Sequence, residues 1–320
     1  MRKTIFAGVA LLGTLLAFTN ITHAQSIPDT VKTGIYVTSI HNIDFKQNEY
    51  TVDFWLWLKY KNKAFDFVRN LEIPQAKSVT KSFSTIDSSG GHMYLLLKIQ
   101  CVMQDSWKIG SFPFDQQRLR ISLENSQYDS KALVFVPDTL GKHFDPRFTL
   151  KGWNIDSFLI GTPTVQYETA FGDDTEPRPH SAYSSCRVKV VLSRDATGLF
   201  WKMFLGMYVS FLIAYICFYI DADNIGSRFS LSVGALFAAV GNKYIIDASL
   251  PETTSFTLVD ALHCFTLFFI FLIILSSVYS LNLVKQNKIK AVKRFDLVAA
   301  QVILAAYVLL NVYFISSARG

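Results

Sequence analysis

Cysteine is scarce in these 320 residues. Cys101, Cys186, Cys217 and Cys264 lie far apart, and the last two fall in apolar runs. No C-x-x-C pair occurs and the six histidines are scattered, which excludes a metal box. An oxidising compartment allows a Cys101–Cys186 disulfide; the simpler alternative is two thiols buried in a β-core. Nothing resembles a nucleophile elbow, paired catalytic acids or a metal-binding pair, so neither an enzyme nor a bound cofactor is expected. Ser184-Ser185-Cys186 and the isolated His180 read as polar residues of a hairpin. Repeats and low-complexity segments are absent as well.

Apolar residues, by contrast, are abundant. They make up 50% of the chain, and the mean hydropathy is +0.26, values unusual for a soluble globular protein. The chain opens with a basic pair, Arg2-Lys3, an apolar stretch from Ile5 to Phe18, and Thr22-His23-Ala24 before Gln25. This is the pattern of an export signal over 1–24, with an uncleaved anchor as the alternative. Cleavage would leave 29 basic residues against 25 acidic ones, a net +4. That small excess is local, so no nucleic-acid partner is expected.

Composition changes sharply near Arg194. Residues 25–194 carry alternating runs such as Tyr50-Thr51-Val52-Asp53-Phe54-Trp55-Leu56-Trp57-Leu58, separated by turn clusters such as Ser88-Ser89-Gly90-Gly91. Period-two alternation without helical periodicity predicts an all-β sandwich. Residues 195–320 carry four apolar stretches, at about 199–220, 229–250, 256–283 and 297–316. Each matches the roughly 20 residues of a bilayer-spanning helix. The link from Lys285 to Arg294 holds five basic residues and no acid, which predicts that it is cytoplasmic. Counting back places the β-domain outside the membrane, in agreement with the export signal.

The second span is the unusual one. It is rich in small and hydroxyl residues and carries Asn242, Lys243 and Asp247, so it should face protein or water rather than lipid. Ser230, Gly234, Phe237, Gly241, Tyr244 and Ala248 share one helical stripe. Two readings remain open on physics alone: a pore-lining face, narrow at Phe237 and Tyr244, or ordinary small-residue packing between helices.

Ser111-Phe112-Pro113-Phe114-Asp115-Gln116-Gln117 resembles the signature loop of the Cys-loop receptor superfamily, the pentameric ligand-gated ion channels. Its setting fits too: it lies in a β-domain, about eighty residues before an arginine that directly precedes four spans. Phe218-Tyr219-Ile220, Gly226-Ser227-Arg228 and Ser230-Leu231-Ser232 resemble the end of the family's first span and the start of its pore helix. Leu250-Pro251 resembles the turn leaving that helix. The two loop cysteines fall at Asp105 and Leu119, so the eponymous disulfide is missing, as in the prokaryotic branch. The family's first-span proline falls near Met207 and is also missing. The cation-selecting glutamate of the inner mouth falls at Gly226 or Ser227, leaving Asp221 and Asp223, one turn away, as alternative acids or as plain loop residues capping the helix.

The resemblance implies a homopentamer in a lipid bilayer, passing inorganic ions and opened by a small molecule or by protons. It also implies a multi-pass protein of the bacterial cytoplasmic membrane with its β-domain periplasmic or extracellular. The family's aromatic ligand box corresponds to Trp55 on one side and to Tyr128, Tyr167, Phe171 and Tyr183 on the other. The capping hairpin would run from Tyr167 to Tyr183, with Asp173, Asp174 and Glu176 at its tip. Gating would pass through a junction of Asp44, Asp115 and Arg194, with Phe112 and Pro113 pressing on the Leu250-Pro251-Glu252 turn. The alternative is a non-conducting, membrane-anchored sensory or binding protein of the same fold.

Overall fold

The alternation around Trp55 does fold as strand, and it builds one wall of a β-sandwich. The computed structural model describes residues 27–147, 149–172 and 180–319; the export signal and the hairpin-tip acids Asp173, Asp174 and Glu176 lie outside the described residues. Strands β1 (Asp29–Asp44), β2 (Glu49–Tyr60), β4 (Ala76–Asp87), β5 (Met93–Gln104) and β7 (Leu133–Pro137) form one sheet in the order β4-β5-β2-β1-β7. The other sheet runs β3-β6-β11-β8, from β3 (Leu71–Glu72), β6 (Gln116–Asn125), β8 (Trp153–Gly161) and β11 (Cys186–Arg194). A two-stranded ribbon joins β9 (Thr164–Tyr167) to β10 (Ser181–Ser184).

Alternate residues from the two sheets fill the core. Phe54, Leu56 and Leu58 on β2 and Leu95, Leu97 and Ile99 on β5 pack in one cluster with Leu119, Ile121 and Leu123 on β6 and Val188, Val190 and Leu192 on β11. Between the sheets, Tyr50 donates its hydroxyl to the Arg120 carbonyl at 2.9 Å. Burial raises that phenol's pKa well above its usual value. Cys101 and Cys186 are two separate buried thiols, each pushed up to about 12, chiefly by burial. The core-thiol alternative is therefore the one the fold adopts.

Gly34 shows how closely the sandwich is fitted. It stands opposite Trp57 in the β1–β2 register, and a Cβ placed on it would lie 2.2 Å from the indole ring. The indole is held there by donating to Asp138 at 3.0 Å. Burial alone would raise the Asp138 pKa, but hydrogen bonds from Trp57, the Leu140 N–H and Lys32 bring it below the ordinary carboxylate range. Gly34→Ala is expected to cost about 1–3 kcal/mol through forced repacking. Urea unfolding against wild type would check this, and an unchanged midpoint would mean that the indole swings away freely.

Four long helices follow Arg194, each long and apolar enough to cross a membrane: α1 (Ala196–Tyr215, continued by a 3-10 turn to Tyr219), α2 (Ile225–Asp247), α3 (Leu258–Lys285) and α4 (Ile289–Arg319). The last begins inside the basic link read above, so Lys290, Lys293 and Arg294 are helical. Lysine and arginine are good helix formers, and the helix therefore outruns its apolar part. Thr257 and Asp260 close a reciprocal cap at the start of α3.

Candidate functional site

The pore-face reading of α2 can be compared directly with its packing alternative. The helix buries Arg228, Ser232, Ala235, Ala239 and Ile246. Ser230, Gly234, Phe237, Gly241, Tyr244 and Ala248 are all exposed, Phe237 at 68% and Tyr244 at 76%. Small-residue packing within the chain would bring a neighbouring helix against Gly234 and Gly241, yet a Cβ at either would meet nothing within 4 Å. Close packing uses Ser232, Ala235 and Ala239, on the opposite face.

The polar residues of this helix point sideways. Asn242 donates to the Met203 carbonyl of α1 at 3.1 Å and lies 3.1 Å from Nε2 of His263 on α3. Lys243 donates to both Asp247 and Asp260 at 2.7 Å. These bonds tie α2 to both neighbours and fix which face is left free.

At the start of α2, Asp221, Asp223 and Gly226 are exposed. The capping role considered for the two acids belongs instead to Asn224, whose side chain accepts from the backbone N–H and hydroxyl of Ser227. Neither acid's carboxylate has a hydrogen-bond or ionic partner among the described residues. Sequence reasoning missed the group behind them. Arg228, 1% exposed, donates to both oxygens of Asp296 on α4, at 2.6 and 3.4 Å, and to the Ile220 carbonyl. Ser280 on α3 donates to the same carboxylate at 2.5 Å. The available signal was an acid within an otherwise apolar helix.

At the other end, β6 and β11 deliver Asp115 and Arg194 side by side. Arg194 forms a two-point pair with Asp115, Nε at 2.7 Å and Nη2 at 3.2 Å, and the side chains are 11% and 1% exposed. Gln117 donates to the same carboxylate at 2.6 Å. The guanidinium lies over three rings, Trp153 at 4.0 Å, Phe45 at 4.7 Å and Phe112 at 4.9 Å. Trp153 is the cross-strand partner of Arg194 on β8, so sheet register sets this stack.

Asp44 does not join the ion pair. Its carboxylate accepts from the Gln47 backbone N–H and closes its own turn, while its carbonyl accepts from Trp107. The three-member charge cluster expected from sequence is thus a two-member pair in an aromatic cage. Phe112 packs in a cluster with Phe200, Phe204, Ile246 and Leu258, beside Leu250, and the Leu258 N–H donates to the Gly110 carbonyl at 2.9 Å. Pro113 is buried as well. A cavity of about 530 Å³ opens here, reached by Asp44, Phe112, Arg194 and Leu250.

The aromatic residues assigned to ligand binding fall into two groups within one chain. Trp55 is half-buried on the first sheet, edge-on to Phe83 at 5.6 Å and beneath Lys98 at 5.7 Å. Tyr167, Phe171 and Tyr183 form a separate triangle with ring centroids 5.5–6.2 Å apart. Tyr128 and Tyr183 line a cavity of about 420 Å³ there, together with Asp129, Gln166 and His180. Burial, then the bond it donates to Glu124 at 2.8 Å, pushes the Tyr167 pKa up to about 12. Tyr183 is raised by burial and then by Asp129, Glu72 and Glu124. Glu72, Glu124 and Asp129 are the carboxylates that act on these phenols.

Asp105 and Leu119, where the family's loop cysteines would stand, are not equivalent in the fold. Leu119 is core. Asp105 pairs with Arg120 at 2.8 Å, and the Gln117 side chain exchanges hydrogen bonds with the Lys108 backbone at 2.8 and 3.0 Å. Polar contacts thus close the loop that a disulfide closes in the receptors bearing that name.

No protein-family model matches the chain. Among curated proteins it is similar to a proton-gated ion channel of Gloeobacter violaceus, 24% identical over 257 residues, covering 73% of this chain and 68% of that protein. The signature loop, the β-sandwich and the four apolar helices follow one another in the order expected from the resemblance to the pentameric ligand-gated ion channels, and the similarity to the Gloeobacter channel supports that resemblance.

Proposed function

We propose that the chain is one subunit of a homopentameric ligand-gated channel that conducts cations, with α2 lining the pore. The observation that carries this is the free face of α2, where Phe237 and Tyr244 project and both glycines have open space beside them. A single polar-faced helix cannot enclose a channel, but cyclic repetition turns one stripe into a wall. Phe237 would form the hydrophobic constriction, and Asp221 and Asp223 would offer negative rings at one mouth. The exposed Val79, Phe83 and Ile86 of β4, next to Trp55, favour a neighbouring copy covering that face. Such a neighbour would bring its own Tyr167 triangle towards Trp55 and assemble the ligand box between subunits. The β-domain would stand outside the bacterial cytoplasmic membrane.

Two agonist classes follow from separate observations: protons, by analogy with the proton-gated relative from Gloeobacter, and small cations, from the carboxylates around Tyr167 and Tyr183. Current across a bilayer containing the purified protein, under pH steps and then a panel of amines, separates them. Phe237→Ala is expected to raise basal current about tenfold, which needs a shift of only ~1.4 kcal/mol in the closed–open balance. Silence from both proteins, with a ring-shaped oligomer verified, would overturn conduction and favour the sensor alternative.

A further inference from the structure

The outward face of the four-stranded sheet carries cations that no feature of the channel reading uses. In the β6–β11 register Arg120 stands directly opposite Lys189, and Arg118 stands opposite Val191, one diagonal step from Lys189. Like charges set directly opposite destabilise a sheet. Only Arg120 has an acidic partner, Asp105 at 2.8 Å; Arg118, Lys189 and Lys108 have none among the described residues. The segment carrying Asp105 and Lys108 folds along the free edge of β6, held by the paired hydrogen bonds of Gln117. Between it and the sheet face lies a cavity of about 590 Å³ lined by four cations, Lys108, Arg118, Arg120 and Lys189, and by one acid, Asp105, whose carboxylate is taken up by Arg120.

These features share one solution. We infer that this cavity binds a phosphate-type oxyanion, held between Arg118 and Lys189 with Lys108 and Arg120 at its rim. Two-point guanidinium bonding suits a tetrahedral oxyanion, and its charge would balance Arg118 and Lys189, the two sheet cations that Asp105 does not pair. The ligand is a free anion or small phosphate ester rather than a lipid headgroup. Arg118 is three strand residues beyond Asp115, which sets the pocket about 10 Å above the junction with the helices. An anion there would bridge β6 to β11 above the Asp115–Arg194 pair, in a position to influence it.

The test is titration calorimetry of the full chain in a neutral detergent, with inorganic phosphate against chloride at fixed ionic strength. The measurement requires no current, so it stands or falls separately from conduction. Saturable phosphate binding is expected, weakened about tenfold by Arg118→Gln and again by Lys189→Gln. Both positions are exposed on a sheet surface, and an unchanged melting temperature without phosphate would show that the variants fold. Absence of saturable binding, or equal binding by wild type and both variants, would overturn the proposal. Binding of phosphatidylglycerol in nanodiscs without binding of free phosphate would overturn the free-anion source, and a changed oligomer size in the variants would mean that these cations meet a neighbouring copy instead.

Discussion

Arg194→Gln is expected to destabilise the junction by about 3–5 kcal/mol, because it leaves Asp115 buried without its counter-ion. Glutamine can offer Asp115 one neutral hydrogen bond in place of two charged ones. It also leaves the space between Trp153, Phe45 and Phe112 without the cation that all three rings face. Arg194→Lys separates these contributions: it keeps the charge but loses both the fork and the flat stacking surface, so it should fall between wild type and glutamine. Asp115→Asn in the Arg194→Gln background should recover part of the loss, since no buried charge then remains. Thermal unfolding of the purified protein checks the ranking, and stability equal to wild type in Arg194→Gln would sink it. If the chain conducts, the same variants should need more agonist for half-maximal current, since this pair ties the last strand of the sandwich to the signature loop just before α1.

A second large effect is expected at the far end of the helices. Asp296→Ala should cost about 3–5 kcal/mol by leaving the Arg228 guanidinium, 1% exposed, with only the Ile220 carbonyl to accept from it. Replacing both partners, Arg228→Met with Asp296→Leu, should restore most of that loss, because apolar side chains of similar volume remove the buried charge altogether. Recovery should stop short of wild type, because the Ile220 carbonyl and the Ser280 hydroxyl each lose a partner. Thermal unfolding in detergent reports all three proteins. A double variant no better than Asp296→Ala would mean that the pair contributes through geometry rather than charge.

The architecture was readable because it rests on periodicity. Strands that face a core on one side alternate, and spans that face lipid run apolar for their whole length, so neither depends on distant residues. Asp115 and Arg194 could be proposed as partners because the signature loop and the approach to the first span are both marked in sequence. The remainder of the junction was hidden for a definite reason. Trp153 reaches Arg194 through cross-strand register, and Phe45 reaches it through a turn whose own carboxylate, Asp44, is occupied by Gln47. Placing Asp44 in the charge cluster assumed that an acid near a cation pairs with it, whereas the local backbone N–H was the closer partner. Arg228 and Asp296 are 68 positions apart and were read separately, one as part of a motif and the other not at all.

The loop from Asp105 to Arg120 is closed by an ion pair and a glutamine side chain, and Cys101 and Cys186 are separate thiols. Maturation of the described β-domain therefore asks nothing of thiol-oxidising enzymes. A cell lacking them could still produce the folded domain, and dithiothreitol added to the finished protein would find no bridge there to cut.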